Sequence, residues 1–411
     1  MRKIELLAPA GDFERLETAV AYGADAVYMG GTSFGLRAAA KNFDMAEMAR
    51  GIEYARKRNV RAYITANIFA HNSDIGRMAD YFVEIGKIAP DALIISDPGV
   101  FSLAREILPK MEIHISTQAN NTNWRSASFW ADLGASRVIL ARELSFEEIA
   151  EIAVKTRGRI GLEAFVHGSV CMAYSGRCLL SAYMNERDAN RGACSNNCRF
   201  NYALAEEKRP GEYFPIGENE TGSFILSSKD LCMIEHIPRL INSGLHSLKI
   251  EGRMKTPYYV ATVTRAYRAA IDAFYENPVE YENNIQLYLH EVLKSSNRDF
   301  STGFYLGRPG AEGQVFDGAT HHRTYDFVGV VRHYDTDSCI ATVEQRNRFA
   351  VGDEIEFVRA GSFYDDFRQK IVEMSDLDGN TVEVARHAQQ MLKIPMDKAV
   401  APLDILRMKV K

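Results

Sequence analysis

Four of the six cysteines fall within 28 residues, at Cys171, Cys178, Cys194 and Cys198, in the spacing C-x6-C-x15-C-x3-C. Thiolates are soft ligands, and four of them close together suit zinc or an iron–sulfur cluster. Glycines and small polar residues surround them, as in Ser175-Gly-Arg-Cys178 and Arg191-Gly-Ala-Cys194, so the backbone can wrap tightly. Three chemistries compete. Disulfides suit an oxidising compartment, and nothing in the sequence points to one. Structural zinc usually sits between paired C-x2-C knuckles, which this chain lacks. An iron–sulfur cubane needs four thiolates and tolerates irregular spacing. Cys232 is a reserve ligand. Cys339, followed by Ile-Ala-Thr-Val, reads as a small buried hydrophobe.

A second set of residues could move protons or hold an anion. His114, His167, Glu163 and Glu251 are the catalytic candidates, because imidazole titrates near neutral pH and carboxylates serve as acids and bases. His167 lies four residues before Cys171, which puts it near any metal. Gln118, Arg142, Lys249, Arg253 and Lys255 are the substrate-binding candidates. Lys249, Arg253 and Lys255 suit a phosphate or a carboxylate through charge-assisted pairing. Plainer readings stand beside these: His114 can point into a core and be satisfied by hydrogen bonds, and Lys249 or Arg253 can simply pair with Glu251. Standard hydrolase signatures fail. His290-Glu291-Val-Leu-Lys294 lacks the second histidine of a zincin, and there is neither a G-x-S-x-G elbow nor a Walker loop. A Cys–His dyad stays open, although a nucleophilic cysteine works alone and these four look like a ligand set.

These residues must be positioned by the elements that carry them. Through residue 275 short apolar runs alternate with amphipathic stretches. Strands are expected at 4–8, 26–29, 61–67, 92–96, 112–117, 137–141, 161–166 and 247–251, with helices such as 12–22, 45–58, 75–88, 123–133 and 146–156 between them. Gly23, Gly134 and Gly158 read as helix stops. Eight strands alternating with helices fit an α/β (β/α)8 barrel, with an open doubly wound sheet as the alternative. Most candidates then fall at strand ends on the carboxyl face, where barrel active sites collect. One connection is abnormally long, at 168–245, and it carries the cysteines directly after strand seven. The expected domains are a barrel over 1–275 with that insertion, a helical segment and linker over 276–324, and a small all-β barrel over 325–411. Within the middle segment a helix over 278–296 should bury Ile285, Leu287, Leu289 and Val292, and Gly307–Gly313 reads as the linker.

With 411 residues, 46% hydrophobic and 25% charged, the composition is that of a globular protein of several domains. A net charge of −5 gives no global attraction to nucleic acid, so any RNA contact needs a local patch such as Arg56-Lys57-Arg58. That triplet can equally be a solvated helix end. Met1-Arg-Lys leads straight into Ile4-Glu5, with no apolar leader, and no run of 18 apolar residues exists. A cytoplasmic chain without a membrane span is expected.

The stretch from Glu163 to Ser181 reads E-x-F-x-x-G-S-x-C-x6-C-x-x-S. It resembles the signature of the collagenase-like, U-thirty-two peptidase family. Glu5-Leu-Leu-Ala-Pro-Ala-Gly-Asp12, Gly23-Ala-Asp-Ala-Val-Tyr28, His114-Ile-Ser-Thr-Gln118, Lys249-Ile-Glu-Gly-Arg-Met-Lys255 and Phe300-Ser-Thr-Gly-Phe304 extend the likeness over essentially the whole chain. The resemblance implies either peptidase activity or the chemistry of the family's hydroxylating branches, which act without molecular oxygen through a cysteine-bound cluster. Length and the terminal β-barrel look most like the branch that hydroxylates tRNA uridine at position 5 and draws on prephenate. That branch implies a 4Fe–4S cluster on the four cysteines, prephenate as co-substrate, tRNA as partner and a second family member as partner subunit. It often carries Gln-Pro between the last two cysteines, where this chain has Asn196-Asn197.

Overall fold

The structure is a computed structural model that describes residues 3–36, 41–171, 173–199, 203–205, 213–215, 227–296, 298–309, 314–315 and 324–410. Seven parallel strands come first: β1 (Glu5–Ala10), β2 (Ala26–Gly30), β3 (Arg61–Thr65), β4 (Ala92–Ile95), β5 (Glu112–Ile115), β6 (Arg137–Ile139) and β7 (Gly161–Gly168). They alternate with α1 (Phe13–Ala21), α2 (Met45–Arg56), α3 (Asn72–Ile88), α4 (Pro98–Ile107), α5 (Trp124–Asp132) and α6 (Phe146–Lys155). The cysteine insertion follows, with α7 (Leu180–Asn185), a small hairpin of β8 (Ala203–Ala205) and β9 (Tyr213–Pro215), then β10 (Ser227–Ser228), β11 (Asp230–Cys232) and α8 (Ile237–Asn242). The eighth barrel strand is β12 (Ser247–Ile250).

β12 pairs in parallel with both β1 and β7, which closes the barrel and excludes the open sheet. Near-continuous apolar runs make these strands, since helices cover one face and the barrel core the other; every residue of β1, β2 and β12 is buried. Helix starts follow local chemistry. Asp44 and Glu47 form a capping box on α2, Ser145 and Glu148 form one on α6, and Asp97 caps α4 with Pro98 in its first turn. Gly23, Gly134 and Gly158 end helices at φ of 97°, 93° and 74°, as expected. Beyond its barrel pairing, β7 runs on to pair antiparallel with β11, which pairs in parallel with β13 (Phe300–Ser301). A register irregularity lies between Lys249 and Ile250, where β12 faces β7.

The chain divides into two compact units that are not contiguous in sequence. The barrel, its insertion and residues 298–321 make the first; the second gathers Glu17–Ala24, Thr256–Asn297 and His322–Lys411. The second contains α9 (Pro257–Glu276) and α10 (Pro278–Leu293). A two-residue strand, β14 (Gln314–Val315), precedes the terminal domain and pairs with β10. That domain has β15 (Tyr325–Asp335), β16 (Ile340–Gln345), β17 (Phe349–Ala350), β18 (Glu354–Val358), β19 (Phe367–Lys370), β20 (Val384–Ala385), β21 (Met391–Pro395) and β22 (Ile405–Lys409). Its main sheet, in the order β19-β18-β22-β15-β16-β21, is an antiparallel half-barrel over Val331, Val343, Phe357 and Leu406. β17 and β20 pair separately.

α10 buries Tyr281, Tyr288, Glu291 and Val292, while Leu287 stays 46% exposed. Of the four apolar residues expected inside, Val292 alone is fully buried; the tyrosine stripe at i, i+7 carries more area and takes the inner face. Glu291 is admitted because Arg407, itself fully buried, meets it with hydrogen bonds of 2.6 and 3.0 Å. Cys339 corrects its reading as a core residue: it is exposed, at φ 55°, in the turn before β16. Residues 310–313 of the expected linker lie outside the described residues.

Candidate active site at the carboxyl end of the barrel

The strand ends meet at one cavity of about 470 Å³. Tyr28, Thr65, Ile94, Ser116, Ile139, Phe165 and Lys249 reach it from the carboxyl ends of seven barrel strands. Cys171, Cys178, Cys194 and Cys198 all line it, and so do Gln118, Arg142, Glu251, Arg253 and Lys255. Sequence reading thus gathers ten residues that the fold does bring together. His114, His167 and Glu163 do not line the cavity, and neither does Cys232, which sits buried on β11 opposite His167.

Glu163 is instead the floor support. A row of charged groups crosses the barrel interior beneath the cavity. Tyr63 Oη donates to Glu5 (2.7 Å), Arg137 Nη1 donates to Glu5 (2.5 Å) and to Glu163 (3.0 Å), and Lys249 Nζ donates to Glu163 (3.0 Å). Burial alone would push the Glu163 carboxyl up, but Lys249 and Arg137 outweigh it and hold it below the ordinary carboxylate range. The Lys249 ammonium lies 4.3 Å from the centre of the Tyr28 ring and 5.4 Å from that of Phe165. A fixed positive charge therefore stands at the cavity wall. Arg253 adds a second. It is 4% exposed and donates to Thr65 Oγ1 at 3.3 Å. It fits because two neighbours lack a side chain: a Cβ on Gly30 would lie 2.0 Å from its guanidinium, and one on Gly11 would lie 1.9 Å from its carbonyl oxygen. Arg142 lies over Phe165 at 4.6 Å and donates to Ser169 O at 2.5 Å. Lys255 pairs with buried Asp230 at 3.7 Å.

The two histidines are core groups. His114 packs edge-on to Tyr63 with centroids 4.8 Å apart, and burial lowers its pKa. The expectation that hydrogen bonds satisfy it is not met: Nε2 lies 3.7 Å from Glu112, beyond hydrogen-bond length, and among the described residues Nδ1 has no hydrogen-bond partner. His167 packs on Phe300 at 5.2 Å, and its pKa is lowered by burial, then by Lys255, to about 3. Arg56, Lys57 and Arg58 follow the plainer reading. They bond Ala89 O, pair with Glu53 and cover the Tyr54 ring, all around the end of α2.

Residues 11–315 match the profile of Peptidase family U32, and 323–407 match its C-terminal domain. The chain belongs to this family. It is 44% identical over 406 residues to "tRNA hydroxylation protein P1" of Bacillus subtilis, spanning 99% of this chain and 95% of that one. It is 38% identical to "tRNA hydroxylation protein P" of Escherichia coli, over 87% and 86% of the two chains. "Collagenase" of Porphyromonas gingivalis is 34% identical over 98% and 97%. The U32 signature from Glu163 to Ser181 thus runs from the charged row under the cavity to the cysteines around it.

Of the four cysteines around the cavity, Cys171 is exposed and the other three are half-buried. Cys194 Sγ receives the Asn196 N–H at 3.4 Å and the Ser181 hydroxyl at 3.8 Å, and the Asn190 amide donates to Cys178 O at 3.3 Å. Four soft donors on one cavity wall, with N–H and O–H groups turned to sulfur, fit an iron–sulfur cluster in donor type and place. Among the described residues no group of three or more His, Cys, Asp or Glu is drawn tightly enough to hold a single ion. A cluster is several atoms across, so its ligands stand further apart than those of one ion. No helix among the described residues is long and apolar enough to cross a membrane. Sequence reasoning missed Tyr28, Asn190, Asp74 and Arg191. Tyr28 offers a bare aromatic at a strand end, Asp74 looks like an ordinary first-turn cap, and Asn190 and Arg191 stand out only by their nearness to Cys194.

Proposed function

We propose that this chain hydroxylates uridine in tRNA at position 5, without molecular oxygen, with a 4Fe–4S cluster on Cys171, Cys178, Cys194 and Cys198 and prephenate as co-substrate. One observation carries the reading: all four cysteines border the same cavity as Arg142, Lys249 and Arg253. A redox group and an anion site then share one chamber. When bound, the cluster supplies electron transfer or a Lewis-acidic iron beside the substrate. The chain's own residues do the rest. Lys249 and Arg253 hold a carboxylate or phosphate by charge-assisted bonds, and their own supports keep them in place. Glu251, a carboxylate on the cavity wall, is the group placed to take up a proton. Glu163, His114 and His167 act below or beside the cavity as supports. The reading puts the protein in the cytoplasm with its tRNA, and a second family member is a candidate partner subunit.

The names of the B. subtilis and E. coli relatives supply the substrate in this reading. Against the peptidase alternative, no histidine stands among the described residues that line the cavity, whereas a thiol protease needs an imidazole beside its nucleophile. The test is deletion of the gene and mass spectrometry of tRNA nucleosides. Loss of hydroxyuridine derivatives, restored by the wild type and not by Cys171→Ala, supports the proposal. An unchanged profile, with gelatin cleavage by pure protein that survives Cys171→Ala, moves the assignment to a peptidase.

A further inference from the structure

Asp74 has no place in the chemistry above, yet its side chain is 1% exposed and both its oxygens are saturated. Oδ2 accepts the His71 N–H at 2.9 Å and Arg191 Nη1 at 2.7 Å. Oδ1 accepts Arg77 Nη2 at 2.7 Å and Arg191 Nη2 at 3.3 Å. The first of these contacts is helix capping, and Arg77 is a neighbour on the same helix. Arg191 is neither. It lies 117 positions along the chain, three residues before Cys194, and grips the carboxylate with both terminal nitrogens.

Around that grip the loop is fastened at further points. Phe69 N–H donates to Asn190 O at 3.3 Å, from the segment that leads into α3. The Asn190 side chain reaches across to Cys178 O. Ala193 N–H turns back to Asp188 O at 2.9 Å. Past the arginine, Ser195 N–H donates to Ser181 Oγ at 3.1 Å, and that hydroxyl in turn faces Cys194 Sγ. The segment 188–195 has little apolar surface to bury and is built from Asp, Ala, Asn, Arg, Gly, Cys and Ser. Apart from the Phe69 bond, the hydrogen bonds just named tie the insertion only to itself, so its path past the second cysteine calls for a further anchor from outside. Asp74 is that anchor, on a rigid helix of the barrel.

We infer that Asp74 and Arg191 are positioning residues, a clamp from the barrel that holds the loop bearing Cys194 in the arrangement a cluster requires. The inference rests on the cluster reading above, and the test separates the two. Residues that hold metal ligands in place commonly change metal affinity by about 10–100-fold when removed, so Asp74→Ala should release iron to a chelator about tenfold faster than wild type after anaerobic reconstitution. Arg191→Lys, which keeps charge but not the two-point grip, should fall between. The exchanged pair Asp74→Arg with Arg191→Asp should recover part of the lost lifetime, which a merely structural defect would not. In parallel, hydrogen exchange on the metal-free full-length chain should show the amides of 189–195 losing protection in Asp74→Ala while those of β1–β7 keep it. Iron release at the wild-type rate, or unchanged exchange over 189–195, overturns the clamp. A wild-type chain that takes up no iron overturns the cluster reading instead, and the exchange measurement still decides whether the clamp exists.

Discussion

At the scale of single residues, the decisive group is Lys249, because its charge at the cavity depends on what lies under it. Burial lowers its pKa and the Glu163 carboxylate opposes that shift. Glu163→Gln removes the opposing charge and leaves burial in command. Lys249 should then shed its proton at a lower pH than in the wild type. Binding of an anion such as prephenate should therefore weaken in the variant as pH rises, more steeply than in the wild type, in titrations at several pH values. Glu163→Ala should also cost stability, about 3–5 kcal/mol, because it strands Lys249 in the interior and leaves Arg137 with Glu5 alone. Chemical denaturation measures it. For the cysteines, anaerobically reconstituted protein should bind about four irons per chain and absorb broadly in the visible. Zinc without iron would refute the cluster. Cys198→Ala should abolish it and Cys232→Ala should spare it, since Cys232 is buried away from the cavity. The cysteines and cations were legible in sequence because type and spacing announce them. Asp74 was not, since its partner lies far along the chain and a first-turn aspartate looks like an ordinary cap.

At the scale of elements, two packings set the limits of stability. β7 carries His167 into a site where burial holds its pKa near 3, and burial lowers His114 and His236 as well. The unfolded chain binds protons at these rings below about pH 6.5, and the folded one refuses them. Stability is therefore complete above that pH and falls as the pH drops through the range from about 6.5 toward 3. Below about 4.5 the carboxylates held low by cations, among them Glu5, Glu163 and Glu356, add to the loss. Urea midpoints should decline from pH 7 to 5 in the wild type and decline less in His167→Asn. In the second unit, α9, α10, β18 and β22 meet through ions. Arg407 bonds Glu291 and Glu356, while Arg265 bonds Glu291 and Asp366. Arg407→Met should cost about 3–5 kcal/mol and unfold this unit first, as followed by its tyrosine fluorescence. The expected barrel strands and helices were readable to within about three residues from alternation and turn signals, the start of α3 being the furthest off. The inner face of α10 was not, because an apolar count favours Leu287 and misses a buried glutamate that only a distant arginine permits.

At the scale of the molecule, a chain of net charge −5 must attract RNA locally or not at all. Binding of tRNA should weaken with salt, and Lys255→Ala should reduce the slope of log K against log salt by about one if that side chain meets a phosphate. Changing Arg56–Arg58 should leave the slope unaltered, since those side chains are occupied at the end of α2. The division into two units joins α9 and α10 to the terminal sheet rather than to the barrel, a grouping no sequence pattern reveals because it depends on pairs such as Arg265 with Asp366. The row beneath the cavity has an evolutionary consequence. Glu5, Arg137, Glu163 and Lys249 come from four separate strands, and their charges sum to zero. Drift at any one of them leaves an unbalanced charge in the barrel interior, where screening by water is weak, and a substitution on the outer surface is too far off to cancel it. These positions can change only in compensating pairs or as a block. A descendant that discards Lys249 for another chemistry must therefore rebuild the barrel's interior as well as its mouth.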